Sequence, residues 1–307
     1  MDLTTRVGSL VLANPVMTAS GTAGHSDELG RYVRLASLGA VVVKSLAPFA
    51  WAGNPPPRLH PTAMGMLNSV GLQGHGIEHW LAHELPPLVA RGATVVASIW
   101  GRTVDEFAAA AEMLADAPPS VVAVEVNVSC PNLEDRRRMF AHSPGATAAA
   151  VAATAPAGRP RWAKLSPNTA DLPEIAEAAA SAGAEAVTLV NTVLGMAIDV
   201  EARRPVLGGK GGGLSGPAIH AVAVRAAYDV HAAHPDLPIV GVGGVARARD
   251  AVELLMAGAS AVQVGTATFA DPRAPAKVLA GLERWCETKG VTGISELVGA
   301  AHETEDP

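Results

Sequence analysis

The stretch Val122 to Asn132, VAVEVNVSCPN, begins with apolar side chains and ends in Asn127, Ser129, Cys130 and Asn132. A thiol flanked by amides offers a nucleophile or a base beside hydrogen-bonding groups, and α/β proteins place such chemistry at the carboxyl ends of their strands. A free cysteine is also commonly a small buried hydrophobe, so the segment alone leaves both readings open. Lys44 and Lys164 each close an apolar run, AVVVKS and RWAKLS. A lysine buried there needs an anionic or strongly accepting ligand, or else a structural salt bridge. IVGVGGV and VQVGTA set Gly243, Gly244, Gly265 and Thr266 after two further apolar runs. Bare backbone N–H groups and a hydroxyl there suit a phosphate, or merely turn the chain. Asn68, Asn127, Asn132 and Asn191 stand at loop starts or strand ends. Singly each is an ordinary turn residue. Converging, their donors and acceptors suit a planar imide or ureide with a carboxylate.

Positioning these groups together requires a scaffold that collects strand ends. Short β-rich runs alternate with Ala-rich segments throughout, at Val16 to Ala19, Ala40 to Lys44, Thr94 to Ile99, Val121 to Val128, Arg161 to Leu165, Ala186 to Val190, Pro238 to Val242 and Ala261 to Val264. The segments between them carry apolar residues at helical spacing: Asp27 to Ser37, Gly76 to Ala90, Val104 to Ala115, Ala146 to Thr154, Leu172 to Ala182, Pro217 to His234, Ala248 to Ala257 and Pro272 to Lys289. Thr103 or Asp105 can cap the third, and Asp171 with Glu174 resembles a capping box. The expected fold is α/β, a (β/α)8 TIM barrel forming one domain over residues 1–307, with a loose acidic tail at 302–307. Two segments exceed ordinary connections: Leu46 to Gln73, which follows a strand's carboxyl end and is expected to be a functional loop, and Leu194 to Ser215, long and flexible enough to move over a site.

Composition narrows the function. The 307 residues are 49% hydrophobic but only 4% aromatic, which suits parallel strands under Ala-rich helices. A net charge of −6 without a long basic run argues against nucleic acid or an anionic membrane as partner. No signal-like leader and no run of about 18 apolar residues is visible, so a cytoplasmic protein off the membrane is expected. Cys130 and Cys286 suggest no disulfide framework, and the histidines show no metal-ligand spacing.

The segments NPVMTASG, VVVKS, NPPPRL, GMLNSVGLQ, VNVSCPN, AKLSPN, LVNT, GGLSGPA, VGVGGV and VGTA resemble, in order and spacing, the class 1 dihydroorotate dehydrogenases, and most the B-type catalytic subunit. The resemblance runs from Asn14 to about Glu296. It implies a barrel carrying FMN that oxidises dihydroorotate to orotate in pyrimidine synthesis. By position, Ser20, Lys44, Ser45, Asn127, Lys164, Val190, Gly216, Gly243, Gly244, Gly265 and Thr266 would hold FMN. Ser98 stands where the B type usually has an asparagine as a flavin contact. Lys44, Asn68, Ser69, Val70, Gly71, Leu72, Asn127, Asn132, Asn191 and Thr192 would hold the substrate. Cys130 would be the base, with Lys44 beside it in the catalytic set, and activity would rise with pH as the thiol ionises. The resemblance further implies a homodimer and a separate FAD and iron–sulfur subunit, since this chain lacks cysteines for a cluster. One departure is the segment after CPN, LEDRRRMFAHSP, where Arg136, Arg137 and Arg138 replace a Gly-rich lid. That leaves two alternatives: a flavin enzyme for another cyclic imide or unsaturated acid, and a non-redox barrel binding a phosphate-bearing metabolite.

Overall fold

The computed structural model describes residues 1–130 and 138–302. Arg136, Arg137 and Asn132 lie outside that range, as does the tail after His302, while Arg138 is exposed. Eight parallel strands form the barrel: β1 Val16–Thr18, β2 Val41–Val42, β3 Val95–Ile99, β4 Val121–Asn127, β5 Arg161–Lys164, β6 Ala186–Leu189, β7 Ile239–Val242 and β8 Ala259–Val264. Their order is β1-β8-β7-β6-β5-β4-β3-β2. A parallel bridge between Met17 and Ala40 joins the two ends, with Gly39 N–H donating to Val16 O at 2.8 Å. All eight expected strands are present, most of them a residue or two shorter than their apolar runs.

Period-two alternation stacks the interior in layers. Met17, Val42, Val96, Ala123, Trp162, Ala186, Val240 and Ala261 pack together at the amino-terminal end with Val7 and Leu12. Those last two belong to an antiparallel hairpin, Thr5–Val7 with Leu10–Leu12, that seals the barrel floor. Two residues further along the same strands come Lys44, Ser98, Glu125, Lys164, Thr188 and Gln263. The inward face thus changes from apolar to polar toward the carboxyl ends. The floor hairpin has three-residue strands, too short for a pattern to register.

The outer helices match expectation in the main, with four differences. Asp27 to Ser37 is two short 3-10 turns, Glu28–Arg31 and Leu35–Ser37, because Gly30 interrupts a weak pattern. In Gly76 to Ala90 the helix contains a π turn at Trp80–Glu84. Pro86 and Pro87 supply no N–H, and Leu85 N–H bonds Trp80 O five residues back. The Pro272 to Lys289 helix is continuous over Ala274–Lys289, and an unexpected short helix, Ala267–Ala270, precedes it. Asp171 makes no side-chain cap, so the Asp171–Glu174 capping box is absent. Thr103 does cap its helix, Oγ1 accepting from Glu106 N–H at 3.2 Å. Thr103→Ala should therefore lower unfolding free energy by about 1 kcal/mol in urea denaturation, leaving the site intact.

The two long segments are not loops throughout but contain paired strands. Val193–Gly195, Gly212–Ser215, Gly65–Asn68 and Leu59–Thr62 pair in that order as a four-stranded antiparallel sheet. Asn68 faces Gly213 in register, which holds one candidate asparagine through a strand contributed from elsewhere in the chain. Among the described residues no helix is long and apolar enough to cross a membrane.

Candidate active site

The carboxyl ends of the strands and this four-stranded sheet surround one cavity. Lys44 reaches it from β2, and its ammonium has no hydrogen-bond or ion-pair partner among the described residues. Burial, and secondarily the nearby Lys164 charge, brings the Lys44 pKa down to about 8. A lysine held so, with no counter-ion of its own, is suited to an anion.

Lys164 is built differently. It is 4% exposed, and its Nζ lies 3.3 Å from Ser20 Oγ, 3.4 Å from Gln263 Oε1 and 3.6 Å from Glu125 Oε1. Glu125 is fully buried, and its other oxygen accepts from Gln263 Nε2 at 2.7 Å and Thr188 Oγ1 at 3.3 Å. The two lysines are thus not equivalent, since Lys164 carries its counter-ion inside the barrel. Glu125 had no assigned role from the sequence. The signal was present as the one charge inside VAVEVN.

Behind the cavity wall the amides form a chain. Asn191 Nδ2 donates to Asn127 Oδ1 at 3.2 Å, Asn127 Nδ2 to Ser45 Oγ at 3.3 Å, and Ser45 and Ser98 share a hydroxyl contact of 2.9 Å. Thr192 N–H donates to Asn191 Oδ1 at 2.8 Å, and Asn68 Nδ2 to Gly213 O at 3.2 Å. These bonds fix the flips of three of the candidate asparagines, all three lining the cavity. Val70, Gly71 and Leu72 line it as well. Ser69 does not; its hydroxyl accepts from Asn54 Nδ2 at 2.9 Å. Ser98 is fully buried and meets the site only through Ser45.

The opposite wall is the glycine cradle. Gly216, Gly243, Gly244, Gly265, Thr266 and Val190 all line the cavity. Gly244 has φ of +71°, and a Cβ there would lie 2.6 Å from His220 Cβ. At Gly243 an added Cβ would lie 2.6 Å from Ala223 Cβ. His220 Nδ1 contacts Gly243 O at 2.8 Å, and Thr266 Oγ1 donates to Ser215 Oγ at 2.8 Å. The N–H groups of Gly243, Gly244, Gly265 and Thr266 make no backbone hydrogen bond to the described residues. Four donors without a partner among the described residues, two of them at glycines with no room for a side chain, fit an oxyanion such as a phosphate.

Cys130 is where sequence and structure diverge. Its Sγ faces the carbonyl oxygens of Gly101 at 3.0 Å and Asn127 at 3.2 Å, the residue is 1% exposed, and it does not line the cavity. Burial pushes the thiol up to about 12, so in this pose it is neutral. Its neighbour Ser129 does line the cavity, and the Ser129 hydroxyl is buried with no partner among the described residues. The alternation that sends Asn127 and Ser129 inward sends Cys130 into the packing between barrel and helices.

Fold and site together define a (β/α)8 barrel that gathers an unpaired ammonium, a chain of amides and an oxyanion cradle in one mouth, the equipment of an enzyme for a small anionic ring compound. A family profile described as Dihydroorotate dehydrogenase matches residues 2–285, and the chain belongs to that family. Its relatives include proteins named "Dihydroorotate dehydrogenase B (NAD(+)), catalytic subunit". The one from Desulforudis audaxviator is 50% identical over 97% of this chain and 97% of its own. That from Trichlorobacter lovleyi is 46% identical over 97% and 98%. That from Desulforamulus reducens is 44% identical over 98% and 99%.

Proposed function

We propose that this protein oxidises dihydroorotate to orotate in pyrimidine synthesis, with FMN as its flavin. The observation that carries the reading is the Lys44 ammonium, unpartnered among the described residues, in one cavity with Asn68, Asn127 and Asn191. Dihydroorotate presents a carboxylate for the lysine and a cyclic imide for the amides. The cradle fits a flavin mononucleotide through its phosphate, which Gly243, Gly244, Gly265 and Thr266 would hold with Gly216 close by, and Ser20 and Lys164 would hold its ring. FMN, when bound, supplies a two-electron hydride acceptor.

The protein's own part is to hold the substrate and move one proton. Lys44 and the amides fix the ring, and water is excluded by the sheet over the mouth. Cys130 would take the proton from C5 as a thiolate, for which the thiol must leave the Gly101 and Asn127 carbonyls, turn into the cavity and first lose its own proton to solvent. Lys164 provides positive charge at the ring end, with Glu125 holding its ammonium in place. By analogy with the relatives' names, the chain is the catalytic subunit of an NAD+-linked enzyme; the separate subunit that would take its electrons is, by the resemblance of sequence, one carrying FAD and an iron–sulfur cluster. A homodimeric catalytic unit in the cytoplasm completes the reading, and sedimentation of the purified chain checks its oligomeric part.

Anaerobic mixing of the FMN-loaded protein with dihydroorotate should bleach the flavin absorption. Retained colour with FMN bound and the fold intact would favour the enzyme for another cyclic imide. A second outcome concerns Lys44. Its ammonium is present below the pKa of about 8 and lost above it, so KM for dihydroorotate should rise by up to about tenfold per pH unit above that value. Lys44→Met should raise KM and flatten this dependence; a wild-type KM constant from pH 7 to 10 would exclude Lys44 as the carboxylate's partner.

A further inference from the structure

On the outer edge of the barrel mouth, His75, His79 and Glu84 bring three potential ligand atoms within 4.8 Å of one another. His75 Nδ1 lies 3.0 Å and His79 Nε2 3.9 Å from the same oxygen, Glu84 Oε1. The π turn at Trp80–Glu84 creates this arrangement. In a regular α-helix, residues five apart point about 140° away from each other. The wider turn sets Glu84 beneath His79 instead, and such turns recur at functional sites. His75 and His79 stand four apart, a spacing that can ligate a metal and that the sequence reading passed over, while Glu84, five residues after His79, is brought to them only by the π turn.

Two further atoms point the same way. Glu84 Oε2 is buried with no hydrogen-bond partner among the described residues, and so is His25 Nε2. His25 interacts electrostatically with both Glu84 and His75. Ser26 Oγ donates to Glu84 O at 2.7 Å and Trp80 Nε1 to His25 O at 2.8 Å, so the loop after β1 is already tied to this helix. The chemistry of two imidazoles and a carboxylate matches zinc and its neighbours in the first transition row, whereas magnesium and calcium prefer oxygen alone. Zinc bonds of about 2.0–2.1 Å place neighbouring ligand atoms about 3.4 Å apart, so the observed spacings need only small side-chain rotations.

We propose that His75, His79 and Glu84 form a binding site for a divalent transition metal of the zinc class, with water completing its coordination. The metal replaces the proton shared between His75 Nδ1 and Glu84 Oε1 and ties His75, just before the helix, to the π turn within it. It has no part in the redox chemistry, so the proposal stands apart from the assigned function.

Titration calorimetry of the tag-free, full-length protein with zinc chloride tests it, together with the visible absorption of added cobalt(II). Saturable binding of one zinc per chain is expected, unaffected by excess magnesium. His79→Ala and Glu84→Gln should each weaken it at least about tenfold. His83→Ala should leave it unchanged; the His83 ring packs on His79 at 4.7 Å but is not among the ligands. Circular dichroism establishes that each variant folds. No saturable binding, or binding that survives both ligand variants or is lost only in Cys130→Ser, overturns the proposal.

Discussion

Cys130→Ala should slow flavin reduction by dihydroorotate by about 10²- to 10⁴-fold, the usual contribution of a positioned base, with substrate binding little changed. Anaerobic stopped-flow absorbance separates the two effects. The pH profile carries the finer information. A thiol acting from the buried pose, with its pKa pushed up to about 12, would give a rate still climbing beyond pH 10. A thiol that turns into the cavity moves toward the ordinary cysteine value of about 8.5, and the rate should level off near there. We expect the second profile, because the Gly101 and Asn127 carbonyls that hold Sγ accept hydrogen bonds from the thiol and cannot donate one to a thiolate. Ser129→Ala is the necessary control, since that hydroxyl faces the cavity without a partner. A loss below about tenfold is expected for Ser129→Ala. Should Ser129→Ala prove the severe variant and Cys130→Ala the mild one, the base would be reassigned to the serine.

The largest effect on stability should come from Glu125→Ala. It leaves the Lys164 ammonium, whose side chain is 5% exposed, buried beside only Ser20 and Gln263. Removing one partner of a buried ion pair costs about 3–5 kcal/mol, more than a cavity of this size alone. Urea denaturation of the FMN-free protein reads it directly. The double variant Glu125→Leu, Lys164→Met should recover much of the loss, because it removes both charges rather than stranding one, yet it should bind FMN more weakly. A double variant as unstable as Glu125→Ala would show that shape, not charge, makes Glu125 necessary.

These two residues also mark how far the amino-acid order can be read. The eight strands were legible because each is a local run of β-branched and apolar residues ending in a polar one, as in AVVVKS and VAVEVN. The placement of Lys44, Asn127 and the paired glycines at one mouth follows from that pattern once the barrel is assumed. Glu125 was visible as an anomaly but not as a counter-ion, since its partner sits on another strand. The sheet over the mouth was taken for loops because its strands are Gly- and Pro-rich and find their partners far along the chain. The Asp171 capping box failed for a smaller reason: the right residue types were there, but the side chain did not turn to the helix.

By itself, then, the sequence determined the alternation, and with it the strands, the polar upper layer and the inventory of groups available for chemistry. Only the tertiary structure decided which of those groups meet. Barrel closure sets Lys164 3.3 Å from Ser20 across 144 residues, while a single step in the alternation turns Cys130 away from the cavity that Ser129 enters. Local pattern specifies a side chain's face, because that depends on the backbone's own period. Its partner depends on how separate segments close in space, and no nearby residue encodes that.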